Sequence, residues 1–204
     1  MKKVTILLVF ALCVSLLLGG CGKAQNDADK GSVAPQPDPN RKAADSYSYI
    51  EHANETYSYE VWGRSGNVFL SEKSLNKPVS FDAANDELLI AYGQRGDGLH
   101  TRWARFCNVQ TEQCVGFSGY LAAWDTQVAF VDQRTDAYHV FVCEAFGPEV
   151  YASVTTLAGL TVAEDGTIIK SFALSKEGIL TVTYPTADGD KTVDISLKTE
   201  EQAE

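Results

Sequence analysis

Short runs of strand length, separated by turn-forming residues, recur through most of this chain and are its most constraining feature. The runs either alternate apolar and polar residues or are continuously apolar, as half-buried and fully buried strands are. Segments rich in Gly, Asp and Asn, such as "GQRGDG" and "TADGDK", connect them over short distances, which favours antiparallel neighbours. We therefore predict a mainly β domain with strands at residues 57–62, 87–92, 101–109, 113–117, 127–131, 138–145, 150–155, 167–174, 179–184 and 192–197.

One segment departs from this pattern. Residues 43–53 read "AADSYSYIEHA", and Asp45 or Ser46 is suited to cap a short helix there. The sequence therefore predicts one short helix before the first predicted strand.

Two segments of the domain echo each other. Residues 90–108 and 128–144 both read apolar-Ala-aromatic, then Gln-Arg-x-Asp, then a strand that ends in Cys. Their offset of 36 to 39 residues is close to the ~40 residues of a propeller blade, and "FDAANDELLIAYG" and "AEDGTIIKSF" resemble the wording of propeller repeats. We predict a single antiparallel domain built as a propeller-like blade meander, with a β-sandwich or barrel as the alternative.

The N-terminus has the pattern of an export signal. Lys2 and Lys3 precede residues 4–18, in which only Thr5 and Ser15 are polar. A charged start followed by an apolar run is typical of a secretory leader. The alternative is a transmembrane helix, but a span needs ~20 apolar residues and a polar tract follows too soon.

The end of this leader resembles a bacterial lipobox. Leu18-Gly19-Gly20-Cys21 matches that motif, in which small residues give a peptidase access and the cysteine thiol receives a diacylglyceryl group. The resemblance to lipoprotein precursors implies that Cys21 is the lipidated first residue of the mature chain and that acyl chains such as palmitate tether it to a membrane. Two or more chains hold stably, since each buried methylene contributes ~0.8 kcal/mol.

A polar linker follows the lipidated cysteine. Residues 22–45 contain "PQPDP" and one large aliphatic residue, Val33, so the stretch has too few apolar residues for a core. Treated as a flexible coil, it reaches ~27 Å. We divide the chain into a signal peptide (1–20), the lipidated cysteine and disordered linker (21–45) and an extracytoplasmic β domain (46–204).

The charge of the chain limits its partners. The net charge is −10, and loss of Lys2 and Lys3 with the leader brings it to −12. Nucleic acid requires a basic surface, so we expect no nucleic-acid partner. We expect the membrane to be contacted through the lipid anchor, because an acidic face is repelled by anionic lipid.

The cysteines of the domain are odd in number once Cys21 is assigned to lipid. Cys107 and Cys114 lie in "CNVQTEQC", a predicted hairpin, and a disulfide between them is our first prediction. The competing interpretations are a Cys107 to Cys143 bond, placed by the echo on equivalent strands, and three buried thiols. Ligand spacing for zinc is missing, so we predict no metal and no cofactor beyond the diacylglycerol on Cys21.

Aromatic residues are frequent near the start of the domain. Tyr57, Tyr59 and Trp62 lie in one predicted strand, and period-two alternation puts the two tyrosines on one face. Exposed rings would stack on a sugar or a peptide, whereas the structural interpretation is that the same face packs in the core. We name these three as the candidate ligand-stacking residues.

No motif in the sequence specifies a reaction. A nucleophile elbow, a phosphate-binding glycine loop and a marked carboxylate pair are all missing, so we assign no catalytic residue. We expect a lipid-anchored, extracytoplasmic binding or scaffolding module of the bacterial cell envelope, in the cell membrane or in an outer membrane, with an envelope protein, glycan or peptidoglycan as its partner. The alternative is a hydrolase of cell-envelope glycan or peptide that uses an unrecognised carboxylate pair.

Overall fold

The computed structural model describes residues 35–148 and 151–198. The leader, the lipobox, Cys21 and linker residues 22–34 lie outside these residues, so their assignments stay predictions. Residues 35–45, the end of the predicted linker, pack against the domain, since Arg41 donates to the Gly63 carbonyl at 2.7 Å and Ala43 is buried. Of the described residues, 57% are in strands and 4% are helical, which confirms the prediction of a mainly β, antiparallel domain. The described part of the chain contains no helix that is long and apolar enough to cross a membrane.

The strands form four antiparallel sheets, and each sheet is a meander of strands consecutive in sequence. Sheet 1 contains β1 (Tyr47–Glu51), β2 (Tyr57–Trp62) and β3 (Val68–Leu75). Sheet 2 contains β4 (Val79–Ala83), β5 (Leu88–Gln94), β6 (Arg102–Asn108) and β7 (Gln113–Ser118). Sheet 3 contains β8 (Tyr120–Trp124), β9 (Gln127–Arg134), β10 (Ala137–Glu144) and β11 (Tyr151–Thr156). Sheet 4 contains β12 (Ser171–Leu174), β13 (Ile179–Thr186) and β14 (Gly189–Ser196).

Three hydrophobic cores lie between successive sheets, and strand β6 shows how. Trp103 and Cys107 point into the first core, between sheets 1 and 2, while Ala104 and Phe106 point into the second, between sheets 2 and 3. This follows from the period of two, because successive side chains leave opposite faces of a strand. The third core lies between sheets 3 and 4. The four sheets therefore stack face to face in the order of the sequence and share no strand within the described residues, which is consistent with a sandwich or a blade-like arrangement.

The helix predicted for residues 43–53 is wrong apart from one turn. Ala43–Asp45 forms a single-turn 3-10 helix that Ser46 ends rather than begins, and β1 follows at once. Packing explains the difference, because the ring of Tyr47 stacks on Phe81 of sheet 2 at 4.0 Å. An extended strand places this ring on the first core, and the tertiary contact overrides local propensity.

The repeated segments occupy equivalent places in the fold. Residues 90–108 belong to β5 and β6, and residues 128–144 belong to β9 and β10, which are the second and third strands of sheets 2 and 3. A second single-turn 3-10 helix, Leu99–Thr101, lies in the first of these segments. The sequence echo thus marks two successive sheets of the same design.

Candidate functional site

A cleft of about 470 Å³ opens where strands of sheets 2 and 3 end beside each other. Strands β7, β9 and β10 form it together with the 3-10 helix before β6 and the connection between β11 and β12. Its walls combine aromatic rings with hydrogen-bonding groups. The aromatic side chains are Phe117, Phe130 and Tyr138, the polar ones are His100, Ser118, Asp132 and Gln133, and the remaining residues are Gly116, Gly119, Val131 and Ile168.

Gly119 joins the two sheets at the floor of this cleft. Its N–H donates to the carbonyl of Arg102 in sheet 2 at 2.8 Å, and its carbonyl accepts from the N–H of Val131 in sheet 3 at 2.8 Å. Its φ is +69°, and a Cβ at this position would lie 2.1 Å from the Val131 carbonyl oxygen. Only glycine combines a left-handed backbone with so close an approach, so the cleft depends on it.

His100 enters the cleft from a loop that is held by hydrogen bonds. The Thr101 hydroxyl donates to the Gly98 carbonyl at 2.7 Å and accepts from the Gly96 N–H at 3.0 Å. A Cβ on Gly98 would lie 2.3 Å from the His100 ring, so glycine makes room for the imidazole. Nδ1 of His100 is buried and has no hydrogen-bond partner among the described residues. The buried Nδ1 faces Gly98, so the rest of the imidazole lines the cleft.

Asp132 is held in place by its neighbours. Its Oδ1 accepts from the N–H of Gln133 at 2.9 Å, and its Oδ2 accepts from Nε of Arg134 at 3.3 Å. Arg134 also donates to the hydroxyl of Tyr151 at 2.6 Å, and these bonds raise the pKa of Arg134 above its usual value, the one to Tyr151 contributing most. The carboxylate thus faces the cleft in a fixed orientation and leaves lone pairs for a further donor.

A second cleft of about 500 Å³ adjoins the first. Gln133 and Tyr138 line both clefts, so these two side chains lie between them. The second cleft also contains Asp136, Thr156 and the exposed Val162. Together the clefts offer a longer surface, with a tyrosine and a glutamine at its middle and one carboxylate on each side.

The structure does not bring the three candidate stacking residues onto one exposed surface. Tyr59 is only 1% exposed, packs on Phe81 and Trp103 in the first core, and burial raises the pKa of its hydroxyl. Tyr57 is half-buried on the same face, and Trp62 lies on the opposite face of β2. Tyr59 is therefore a core residue, which corrects its assignment to a stacking surface.

The domain cysteines are placed as follows. Cys107 and Cys114 are opposite each other in β6 and β7, with Cα atoms 4.3 Å apart, and they form a disulfide. Cys143 is a buried free thiol in the second core, so the competing Cys107 to Cys143 bond is not present. Burial raises the pKa of the Cys143 thiol above its usual value. Cys21 lies outside the described residues.

Sequence reasoning missed the residues of the clefts. His100, Ser118 and the pair Gln133 and Tyr138 come from three separate segments, and no single motif contains all four. The sequence contained one indication of the site, because Gln133 belongs to the second Gln-Arg-x-Asp phrase of the echo.

The described residues contain no group of three or more His, Cys, Asp or Glu side chains arranged to hold a metal ion. Comparison of the whole chain with protein-family models, with curated proteins and with solved structures gives no significant match.

Proposed function

We propose that this chain is a lipid-anchored, extracytoplasmic binding domain of the bacterial cell envelope, and that its paired clefts bind a glycan. One observation carries the choice of ligand: half-buried aromatic rings and hydrogen-bonding side chains line the same cleft. Ligand sites typically combine an apolar wall with a few polar groups that fix orientation. A sugar ring offers a C–H face for the aromatic rings and hydroxyls for polar groups.

The length of the surface favours a chain of sugars over a single one. The two clefts adjoin at Gln133 and Tyr138, and each has a carboxylate of its own, Asp132 or Asp136. A polymer would pass Tyr138 with one unit in each cleft. The negative charge of the domain disfavours a polyanionic ligand, because like charges repel. An uncharged or weakly charged glycan backbone fits these conditions.

The anchor supports the location of this activity. The lipobox at Cys21 would tether the domain to the outer side of the membrane, near envelope polymers. The Cys107–Cys114 disulfide agrees with this compartment, since disulfides persist in oxidising surroundings.

The anchor is tested by labelling growing bacteria with palmitate. The wild-type chain should incorporate the label and partition with membranes, whereas Cys21→Ser should not incorporate the label, because it removes the thiol that forms the thioether in the lipobox. The matched control is Cys13→Ser, which changes a cysteine within the leader and should keep the label. Label retained on Cys21→Ser would contradict the lipoprotein assignment.

Glycan binding is tested by co-sedimentation of the full chain, purified in detergent, with isolated cell-wall sacculi. Tyr138→Ala should weaken binding about fivefold, since an aromatic contact contributes roughly 1 kcal/mol. Tyr57→Ala is the matched control, because it removes a half-buried tyrosine from sheet 1. Loss of binding in Tyr57→Ala with retention in Tyr138→Ala would move the site to sheet 1. Sedimentation no greater than that of an unrelated protein would contradict glycan binding altogether.

The same assay separates binding from hydrolysis. A binding domain leaves sacculi intact, whereas a hydrolase releases soluble sugar or peptide fragments with time. Release that disappears in Asp132→Asn would favour the hydrolase, with Asp132 as one member of its carboxylate pair.

A further inference from the structure

Arg102, the first residue of β6, has surroundings unlike those of the other arginines. Its guanidinium carbon lies 5.7 Å from the ring centre of Tyr92, 5.3 Å from that of Tyr120 and 4.7 Å from that of Phe172. These rings belong to sheets 2, 3 and 4, so Arg102 lies where three sheets converge. Contact with three rings restricts the guanidinium to a narrow range of orientations.

The guanidinium is half-buried, yet no described residue accepts a hydrogen bond from it. Burial is the main reason that its pKa is lowered, while Tyr120 and Tyr92 act in the opposite direction. Arginine stays charged in proteins, so the cation bears a desolvation cost without a bonded anion in the described part of the chain. The acid that acts on these tyrosines is Asp82: it raises the pKa of Tyr92 after the larger effect of burial, and it also contributes to the raised pKa of Tyr120.

The remaining described arginines are accounted for differently. Arg41 donates to two backbone carbonyls, and Arg64, Arg105 and Arg134 each pair with a carboxylate. Arg95 has no such partner but is exposed to solvent. Arg102 alone among them combines partial burial with five N–H donors that no described group uses.

We infer that Arg102 is a binding site for the carboxylate group of a small ligand or of a ligand side chain. The three rings offer no hydrogen-bond acceptor in the plane of the guanidinium, so its N–H donors are left for a ligand. A carboxylate matches these donors with two parallel hydrogen bonds.

The chemistry favours a carboxylate over a phosphate. One cation balances one carboxylate, while a phosphate dianion normally draws on several donors or a helix N-terminus. Rings surround this cation, and the acidic Asp82 lies beside one of them. A second negative charge would therefore stay uncompensated. The inference is independent of the glycan, because Arg102 does not line either cleft.

The test uses the full chain in detergent, with sodium acetate as the carboxylate probe and inorganic phosphate and sodium chloride as comparisons at equal ionic strength. The Nε–Hε resonance of Arg102, assigned by its disappearance in Arg102→Lys, should shift saturably with acetate and not with chloride. The Arg102 variants lack this resonance, so their acetate binding is followed, as in the wild type, by the backbone N–H resonances of residues 101–103. Arg102→Gln should weaken acetate binding at least about tenfold, as expected for loss of a charge-assisted pair. Arg95→Gln removes the same charge from an exposed position and should leave it unchanged.

Arg102→Lys keeps the charge but not the planar fork, so its affinity for acetate should lie between those of the wild type and Arg102→Gln. This variant also tests the proposal if Arg102→Gln fails to fold. Equal acetate responses in wild type and Arg102→Gln would overturn the proposal. So would a resonance that responds alike to acetate and chloride. Phosphate binding as tight as acetate binding would overturn the choice of carboxylate.

Discussion

The Cys107–Cys114 disulfide provides the sharpest prediction about the domain. The two residues are separated by 7 positions in the sequence, and the bond closes the β6–β7 hairpin. A cross-link of this loop length stabilises by about 2.4 kcal/mol at 25 °C, because it restricts the unfolded chain. In Cys114→Ser the free energy of unfolding should fall by that amount. Cys114 is exposed, so the substitution itself perturbs packing little.

Urea denaturation with and without dithiothreitol measures this contribution. With a urea slope of about 2 kcal/mol/M for a domain of this size, reduction should lower the midpoint of the wild type by about 1 M. The reduced wild type and Cys114→Ser should then unfold together, and dithiothreitol should leave Cys114→Ser unchanged. Cys143→Ala is the control: it removes a buried thiol and loses core packing, but its midpoint should remain sensitive to dithiothreitol.

Two results would refute this reasoning. One is a wild-type midpoint that dithiothreitol does not move. The other is alkylation of all three domain cysteines in the unfolded, unreduced protein, since a disulfide leaves only Cys143 reactive.

Three further predictions concern the core, the cleft and an exposed ion pair. Phe106→Ala empties a side chain that is 0% exposed in the second core and should cost about 3 to 5 kcal/mol in chemical denaturation; a cost below about 1 kcal/mol would show that this core is not close-packed. Gly119→Ala strains a left-handed backbone, and its Cβ meets the Val131 carbonyl. It should therefore lower the free energy of unfolding by about 2 kcal/mol or more. A neutral effect would contradict the close approach of Gly119 to Val131. Lys77 holds the pKa of Asp97 below its ordinary 3.8. The stabilisation of the folded domain by this ion pair is therefore complete above about pH 4 and disappears as the pH falls through the lowered pKa. The difference in unfolding free energy between wild type and Asp97→Asn should vanish in acid, and a difference that stays constant with pH would contradict the pairing.

Much of the strand pattern could be predicted from sequence because it reports burial on alternating faces. The bounds predicted for β2, residues 57–62, are those of the structure. Strands β3 and β4 were missed, since both lie at sheet edges and most of their residues are not buried. Strand β8 was missed for another reason. It reads "YLAAW", is mostly buried and directly follows Gly119, so no polar turn separates it from β7.

The clefts and the disposition of the stacking residues could not be predicted, because they depend on which sheets face each other. Alternation correctly gives Tyr57 and Tyr59 a common face, but it does not say that sheet 2 covers that face. The structure shows Tyr59 against Trp103, 6.4 Å between ring centres. Arg102 is likewise defined by rings of three sheets, which a single stretch of sequence does not bring together.

The end of the stack indicates why recognition would concentrate at the strand ends. On sheet 4 the face away from the third core carries Thr181, Thr183, Thr192 and Asp194. Thr181 donates to Asp194 at 2.7 Å, and the hydroxyls of Thr183 and Thr192 lie 3.1 Å apart. A face of exposed hydroxyls paired with one another is suited to water and not to a further apolar sheet. The inner faces of the sheets are occupied by cores and this outer face is polar, while the two clefts that combine apolar and polar groups lie at the strand ends. Arg102 is found there as well.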